Sequence, residues 1–400
     1  MKFSVLVPTR NRLEYLKYAI ESVRRQDYGD WELIVSDNFS EDDIAGFVSS
    51  LHDDRIRYFR TAAFISVTAN WNNAVSKADG DYVVMLGDDD CLMPHYFTRM
   101  LTLIEGYAKP ELIYTGGYLY AYPGVLEGHA DGLLQQFENA TFMRGATGPI
   151  WLDKQEALRL VRHSMAFRAR FAYNMQYSLV SRELLDKLSH AGEVFQSPFP
   201  DFYATNAMFL CADRVLADPR PFVAIGITPK SYGFYFFNNR EQEGVDFLNS
   251  LSLPTDGDDL SRVLLPGTNM NTSWLLAVET LRANYGRQFG LRVSRRRYRM
   301  LQIIHCYRSY YGKKGLSAED FQELRRRMYP WERVVYGGGM TTAWWVMQHL
   351  PEGGRGKFKQ ALSGAARRLR RSNEWKPAES SRSFANILEV FEDAAHPEVA

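Results

Sequence analysis

Cysteine is scarce in this sequence: Cys91, Cys211 and Cys306 are the three in 400 residues, far apart and without a C-x-x-C pair. An odd, scattered set excludes a disulfide framework and a zinc cluster, and it suits a reducing, cytoplasmic setting. Also missing is any uninterrupted apolar run of about 18 residues, so no spanning helix is expected. The amino terminus opens on Lys2-Phe3-Ser4-Val5-Leu6-Val7 and breaks at Pro8, too soon for a signal peptide. Net charge is nearly absent at +1. That balance hides a division, because Arg282 to Arg371 holds 21 Lys and Arg against 5 Asp and Glu. Aromatics, at 14%, fit core packing first and sugar stacking second.

What is present begins with alternating strands and helices over the first hundred residues. Lys2–Val7, Trp31–Val35, Ile56–Phe59 and Tyr82–Leu86 read as strands, and Leu13–Gln26, Ile44–Leu51 and Asn70–Lys77 as helices. This order predicts an α/β fold, a Rossmann-like and mostly parallel sheet flanked by helices. In such sheets ligands gather beyond the carboxyl ends of the strands. Three polar clusters stand there: Pro8 to Arg12, Ser36 to Ser40, and Gly87-Asp88-Asp89-Asp90.

Further on, a helix is expected from Pro94 to Gly106 and a strand over 112–115. Tyr118 to Pro149 reads as an irregular excursion, and Leu184–Leu188 and Phe202–Leu210 as helices. Pro254 to Asp259 marks a linker over 251–267. A basic, mainly helical region over 268–371 follows, then a polar tail over 372–400. Residues 1–250 form the first domain in this division.

Three consecutive carboxylates after a buried strand repel one another and call for a compensating cation. Hard oxygen ligands suit Mg2+ or Mn2+, which binds one or two carboxylates and completes its shell with phosphate oxygens and water. The competing reading is that Asp90 caps the helix near Pro94.

The segments Ser4 to Arg12, Leu33 to Ser40 and Ala78 to Asp90, with Asn70-Trp71-Asn72-Asn73-Ala74 between them, resemble the successive blocks of family 2 glycosyltransferases, of GT-A fold. The resemblance covers about the first hundred residues. It implies an inverting glycosyltransferase with a nucleotide-sugar donor (UDP-, GDP- or dTDP-sugar) and a saccharide or lipid-linked acceptor, in bacterial surface polysaccharide synthesis. Pro8, Thr9 and Arg10 would lie against the nucleotide, Asp37 would read the base, and Asn72, in the helix before the last strand, would also bind the donor. Asp88 would face the ribose, Asp89 would ligate the metal, and Asp90 would support it. Two departures stand out: Ser36-Asp37 where many members have an acidic pair, and Gly87 where many have Asp.

Direct displacement needs a carboxylate to take the acceptor hydroxyl's proton. Phe199-Pro200-Asp201-Phe202-Tyr203 resembles the family's acidic block at a helix start, which nominates Asp201, with Glu193 as runner-up; a helix cap is the plainer role. Lys230, on the turn Thr228 to Gly233, is a candidate for the diphosphate. The basic region, with Trp344, Trp345, Lys357, Lys359 and Arg367 to Arg371, suggests a peripheral anionic-membrane surface, against a helical bundle packed on the acidic domain. No nucleic-acid motif accompanies it. Sugar nucleotidyl transfer is disfavoured, since no glycine-rich loop with an activating lysine follows strand one. A non-catalytic nucleotide-sugar-binding scaffold is the remaining alternative.

Overall fold

The computed structural model describes residues 1–126, 128–231, 257–267, 270–312, 316–351 and 382–395. The first half alternates as the periodicity predicts: β1 (Phe3–Thr9), α1 (Leu13–Arg24), β2 (Trp31–Asp37), α2 (Ile44–Ser50), β3 (Ile56–Arg60), α3 (Val67–Val75) and β4 (Tyr82–Met85). β1 lies between β2 and β4 and is parallel to both, while β3 flanks β2. β1, β2 and β4 are buried almost throughout, which is why they read as continuous apolar runs. The register sets Thr9 opposite Asp37 and Leu6 opposite Met85, so the first two polar clusters share one edge and the third follows β4 onto it.

Beyond β4 the sheet becomes mixed. The chain continues through β5 (Cys91–Leu92), α4 (Tyr96–Gly106), β6 (Leu112–Ala121), β7 (Gly132–Phe137), β8 (Ile150–Leu152) and α5 (Lys154–Met165). After these come β9 (Ser178–Ser181), α6 (Arg182–Ser189), α7 (Pro200–Cys211) and β10 (Val215–Ile227). The order is β7-β6-β9-β4-β1-β2-β3, with β10 pairing β5, β6 and β8. Here the irregular excursion over 118–149 needs correction. β6 runs to Ala121 and pairs antiparallel with β7, because pairing on both edges outweighs the low strand propensity of Gly116-Gly117.

Two boundaries also change. Within the expected linker, α8 (Gly257–Val263) forms, and Leu260, Val263 and Leu265 are buried; residues 251–256 lie outside the described residues. α9 (Met270–Phe289) and α10 (Arg295–Tyr311) share one apolar cluster with the sheet through Leu275, Leu276, Leu281, Tyr298 and Leu301. Some of the arginines counted as surface charge are spent internally. Arg299 meets Glu332 at 2.8 and 2.7 Å, with both side chains buried, and Arg295 meets the buried Glu279 at 2.6 Å. α11 (Ala318–Arg327) and α12 (Gly339–His349) follow, α12 joined to a π-helical stretch over Arg333–Gly338. Lys357, Lys359 and Arg367 to Arg371 lie outside the described residues.

The expected polar tail is not all tail. β11 (Arg382–Phe384) pairs antiparallel with β7, and α13 (Ile387–Ala395) sets Ile387, Val390 and Phe391 against Met93, Tyr120 and Tyr122. The signal was available in the 3–4 residue spacing of those three apolar positions, but polar flanks masked it. Truncating one of them, Phe391→Ala, is expected to cost about 3 kcal/mol of docking energy. Loss of hydrogen-exchange protection across β11 would register this; protection equal to the parent chain's would contradict the docking.

Candidate active site

Gly87 to Asp90 is the turn between β4 and β5, and β5 is held by Val223 and Ala224 of β10. α4 begins only at Tyr96, with His95 before it, so Asp90 caps no helix. Instead its carboxylate is buried and fully engaged. Gly226 N–H donates to Oδ1 at 2.8 Å, while Gly87 N–H and Gln176 Nε2 donate to Oδ2 at 2.8 and 2.5 Å. Burial and the neighbouring Asp89 charge raise its pKa to about 8, against those three bonds. The metal expectation for Asp90 is therefore corrected, since this side chain ties three segments together. Gly87 is explained by the same carboxylate, because a Cβ there would run into Asp90.

Asp88 and Asp89 face the other way, and both meet Arg12. Arg12 Nη1 lies 2.8 Å from Asp88 Oδ1, and Nη2 lies 2.5 Å from Asp89 Oδ2. Thr9 Oγ1 donates to Asp88 at 2.7 Å, and Ser231 Oγ donates to Asp89 at 2.6 Å. Arg12 Nη2 also reaches Thr228 Oγ1 at 2.7 Å. Burial alone would lower the Arg12 pKa, but Asp88 and Asp89 more than reverse this and raise it. Burial pushes Asp88 up to about 6, with the Arg12 charge opposing. A compensating cation is thus present, as the carboxylate repulsion required, and it belongs to the chain. Arg12 is the residue missed as a partner of the triplet; it was visible only as the end of the first polar cluster.

The remaining expected residues divide. Pro8 is half-buried opposite Ser36. Arg10 stacks 3.4 Å over Phe64. Asp37 is buried, accepting from Ser40 N–H at 2.9 Å and Tyr58 Oη at 2.6 Å. Its neighbour Ser36 is buried too, with its hydroxyl between Asn70 and Asn73 at 2.8 Å each, a place that takes a neutral side chain without a charge to compensate. Phe39 was not singled out. It adopts φ +59° and is 44% exposed beside Arg60, an open aromatic face in a strained conformation on this edge. Asn72 leaves the donor set, because its amide is spent on Glu193 Oε2 and on both the N–H and C=O of Phe195. Lys230 stands at the rim, bonded to Asn11 O at 3.4 Å and Glu14 at 3.2 Å; Tyr232 and Gly233 of its turn lie outside the described residues.

Asp201 occupies the first turn of α7, after Pro200, and accepts from Phe202 N–H at 2.9 Å. Burial raises its carboxyl to about 6. The segment 173–177, which ends in the 3₁₀ turn Met175–Tyr177, links α7 to the aspartates: Gln176 bonds Asp90, and Thr205 of α7 bonds Tyr173 O at 2.7 Å. Glu193 is exposed and bonded to Asn72 at 3.0 Å.

The Asp88–Asp89 pair fits a divalent cation. Two hard carboxylates already converge on one positive group, and Mg2+ or Mn2+ asks for no more than that from the protein when a diphosphate supplies the rest. Among the described residues no three His, Cys, Asp or Glu side chains form a closed metal cage.

The family model for Glycosyl transferase family 2 matches residues 4–142, which contain the three polar clusters and the Arg12 pair. Over that segment the chain is similar to family 2 glycosyltransferases. Over 111 residues it is 43% identical to the GalNAc(5)-diNAcBac-PP-undecaprenol beta-1,3-glucosyltransferase of Campylobacter jejuni, covering 27% of this chain and 36% of that one. Over 127 residues it is 33% identical to the putative colanic acid biosynthesis glycosyl transferase WcaA of Escherichia coli, covering 31% and 43%. The chain thus spans less than half the length of these relatives. A structure of Staphylococcus aureus TarS 1–349 with UDP-GlcNAc matches with a TM-score of 0.47 at 13% identity, covering 78% of this chain and 93% of that one. Asp201 lies beyond the segment that the family model matches.

A Cβ on Gly226 would meet the Asp89 carbonyl, whereas one on Gly148 meets open space. Gly226→Ala is expected to cost about 1–3 kcal/mol and Gly148→Ala close to nothing. Equal thermal midpoints for the two variants would contradict the close approach of β10 to the triplet.

Proposed function

We infer that the chain is a metal-dependent, inverting glycosyltransferase that moves a sugar from a nucleotide-sugar donor to a hydroxyl of a saccharide or lipid-linked saccharide. The observation that carries this is the convergence of Asp88 and Asp89 on one positive group, the Arg12 guanidinium, at the carboxyl edge of parallel strands. Pro8, Thr9, Arg10 and Asp37 line the nucleotide side, Asp88 faces the donor, and Asp89 ligates Mn2+ or Mg2+. When bound, the metal supplies charge neutralisation to the departing diphosphate. Asp201 takes the proton of the acceptor hydroxyl while that oxygen bonds to the anomeric carbon and the carbon–phosphate-oxygen bond breaks, its electrons leaving with the diphosphate. A carboxyl raised to about 6 suits a base working near neutrality. Residues 1–250 form the catalytic domain in this reading, and α9 and α10 share its apolar cluster.

Donor binding is the first test. Stabilisation by nucleoside diphosphates with Mn2+ should disappear in Asp89→Asn; an unchanged thermal shift would sink the metal assignment. Asp201→Asn should keep that shift yet lower transfer by about 10²- to 10⁴-fold. The sign of the pH effect follows from the raised pKa: below about 6 Asp201 is protonated and cannot accept. The acid limb of kcat/KM should therefore fall near pH 6, not near 4. A limb at 4 would take the base role from Asp201, and full donor binding with no turnover on any acceptor would favour a scaffold.

A lipid-linked acceptor places the enzyme at a membrane face, as the name of the Campylobacter relative would suggest. No described helix is long and apolar enough to cross a membrane. Trp331, Val334, Val335 and Trp345 are 40%, 75%, 58% and 60% exposed, exposed Arg325, Arg326, Arg327 and Arg333 are close to them along the chain, and no acid occurs from Arg333 to Pro351. Apolar anchors with surrounding cations fit an anionic bilayer. The full chain carrying Val334→Ser and Trp345→Ser should bind anionic vesicles at least about tenfold more weakly. Undiminished binding would move the anchor elsewhere.

A further inference from the structure

Arg12 carries a consequence for the order in which ligands enter. Its guanidinium bridges Asp88 and Asp89 and is anchored by Thr228 and Ser231, so it fills the space between the carboxylates that a cation would use. Yet its own Nε–H is buried without an acceptor among the described residues, so this resting place leaves one strong donor unmet there. Two carboxylates and one guanidinium leave a single negative charge. A divalent ion added to that set produces a net positive, desolvated cluster, which is unfavourable in a buried site. A diphosphate arriving with the ion restores the balance and offers the guanidinium a second anion.

We propose that Arg12 is a built-in counter-cation that competes with the divalent ion for Asp89, so that the ion is held tightly only together with a diphosphate. Metal and donor then enter as a linked pair, and the empty site does not collect metal. This rests on the cation reading of Asp88 and Asp89 given above, and the reciprocity of linkage makes it measurable without any turnover.

The experiment is Mn2+ titration of the full chain, followed by the electron-spin signal of free Mn2+, with and without inorganic pyrophosphate. The parent chain should bind Mn2+ at least about tenfold more tightly when pyrophosphate is present. Arg12→Gln should bind Mn2+ alone about tenfold more tightly than the parent, and its gain from pyrophosphate should shrink by a similar factor. Should Arg12→Gln fail to fold, Arg12→Lys serves, since a point charge cannot bridge both carboxylates as a planar fork does; a smaller gain in the same direction is expected. Mn2+ affinity equal to the parent's in the variant that folds overturns the proposal. Asp89→Asn separates the two ideas: if it binds Mn2+ as the parent does, the cation reading itself is wrong and the competition falls with it. Loss of Mn2+ in Asp89→Asn alongside no gain in the Arg12 variants removes only the competition.

Discussion

Asp90 accepts hydrogen bonds from the Gly226 and Gly87 amides and from Gln176, and these bonds govern how the turn after β4 meets β10 and the 3₁₀ turn before β9. A buried carboxylate is costly unless its lone pairs are taken up, and here the backbone supplies two of the donors. With Asp90 committed to these donors, Asp88 and Asp89 are the two carboxylates of the turn that meet Arg12. Tyr122 Oη adds a bond to the Asp89 carbonyl at 3.2 Å, which joins the apolar cluster under α13 to the same turn. The third aspartate thus builds the site that the first two use.

Charge compensation follows the same economy. The acidic turn is balanced from within the chain by Arg12, drawn from the loop after β1, while the buried Glu279 and Glu332 are balanced by arginines of the basic half. The surplus of positive charge in the carboxyl-terminal region is therefore smaller at the surface than its composition implies. Of what remains exposed, Arg333 shares the helical stretch 330–349 with Trp331, Val334, Val335 and Trp345, and Arg325 to Arg327 end the helix before it.

Much was legible in local pattern. Continuous apolar runs gave β1, β2 and β4, because strands covered on both faces have no polar side to interrupt them. Helical spacing gave α1, and the polar clusters at the strand ends marked the edge where a ligand could bind. Illegible were β9 and β10, whose identity depends on partners distant in sequence, and the docking of residues 382–395 on β7 and Tyr120. Asn72 and Asp90 were misread for one reason. A polar side chain near a site looks the same in sequence whether it points at a ligand or at a neighbouring loop.

The triplet Gly87 to Asp90 shows where that division falls. Residue types alone determined that this edge holds concentrated negative charge needing a cation, since carboxylate repulsion depends on spacing along the chain. Tertiary structure decided which cation answers it and which carboxylates face it. Arg12 and Gly226 reach the turn from about 80 residues before it and about 140 after it, and only the folded register of β1, β4 and β10 brings them within hydrogen-bond distance.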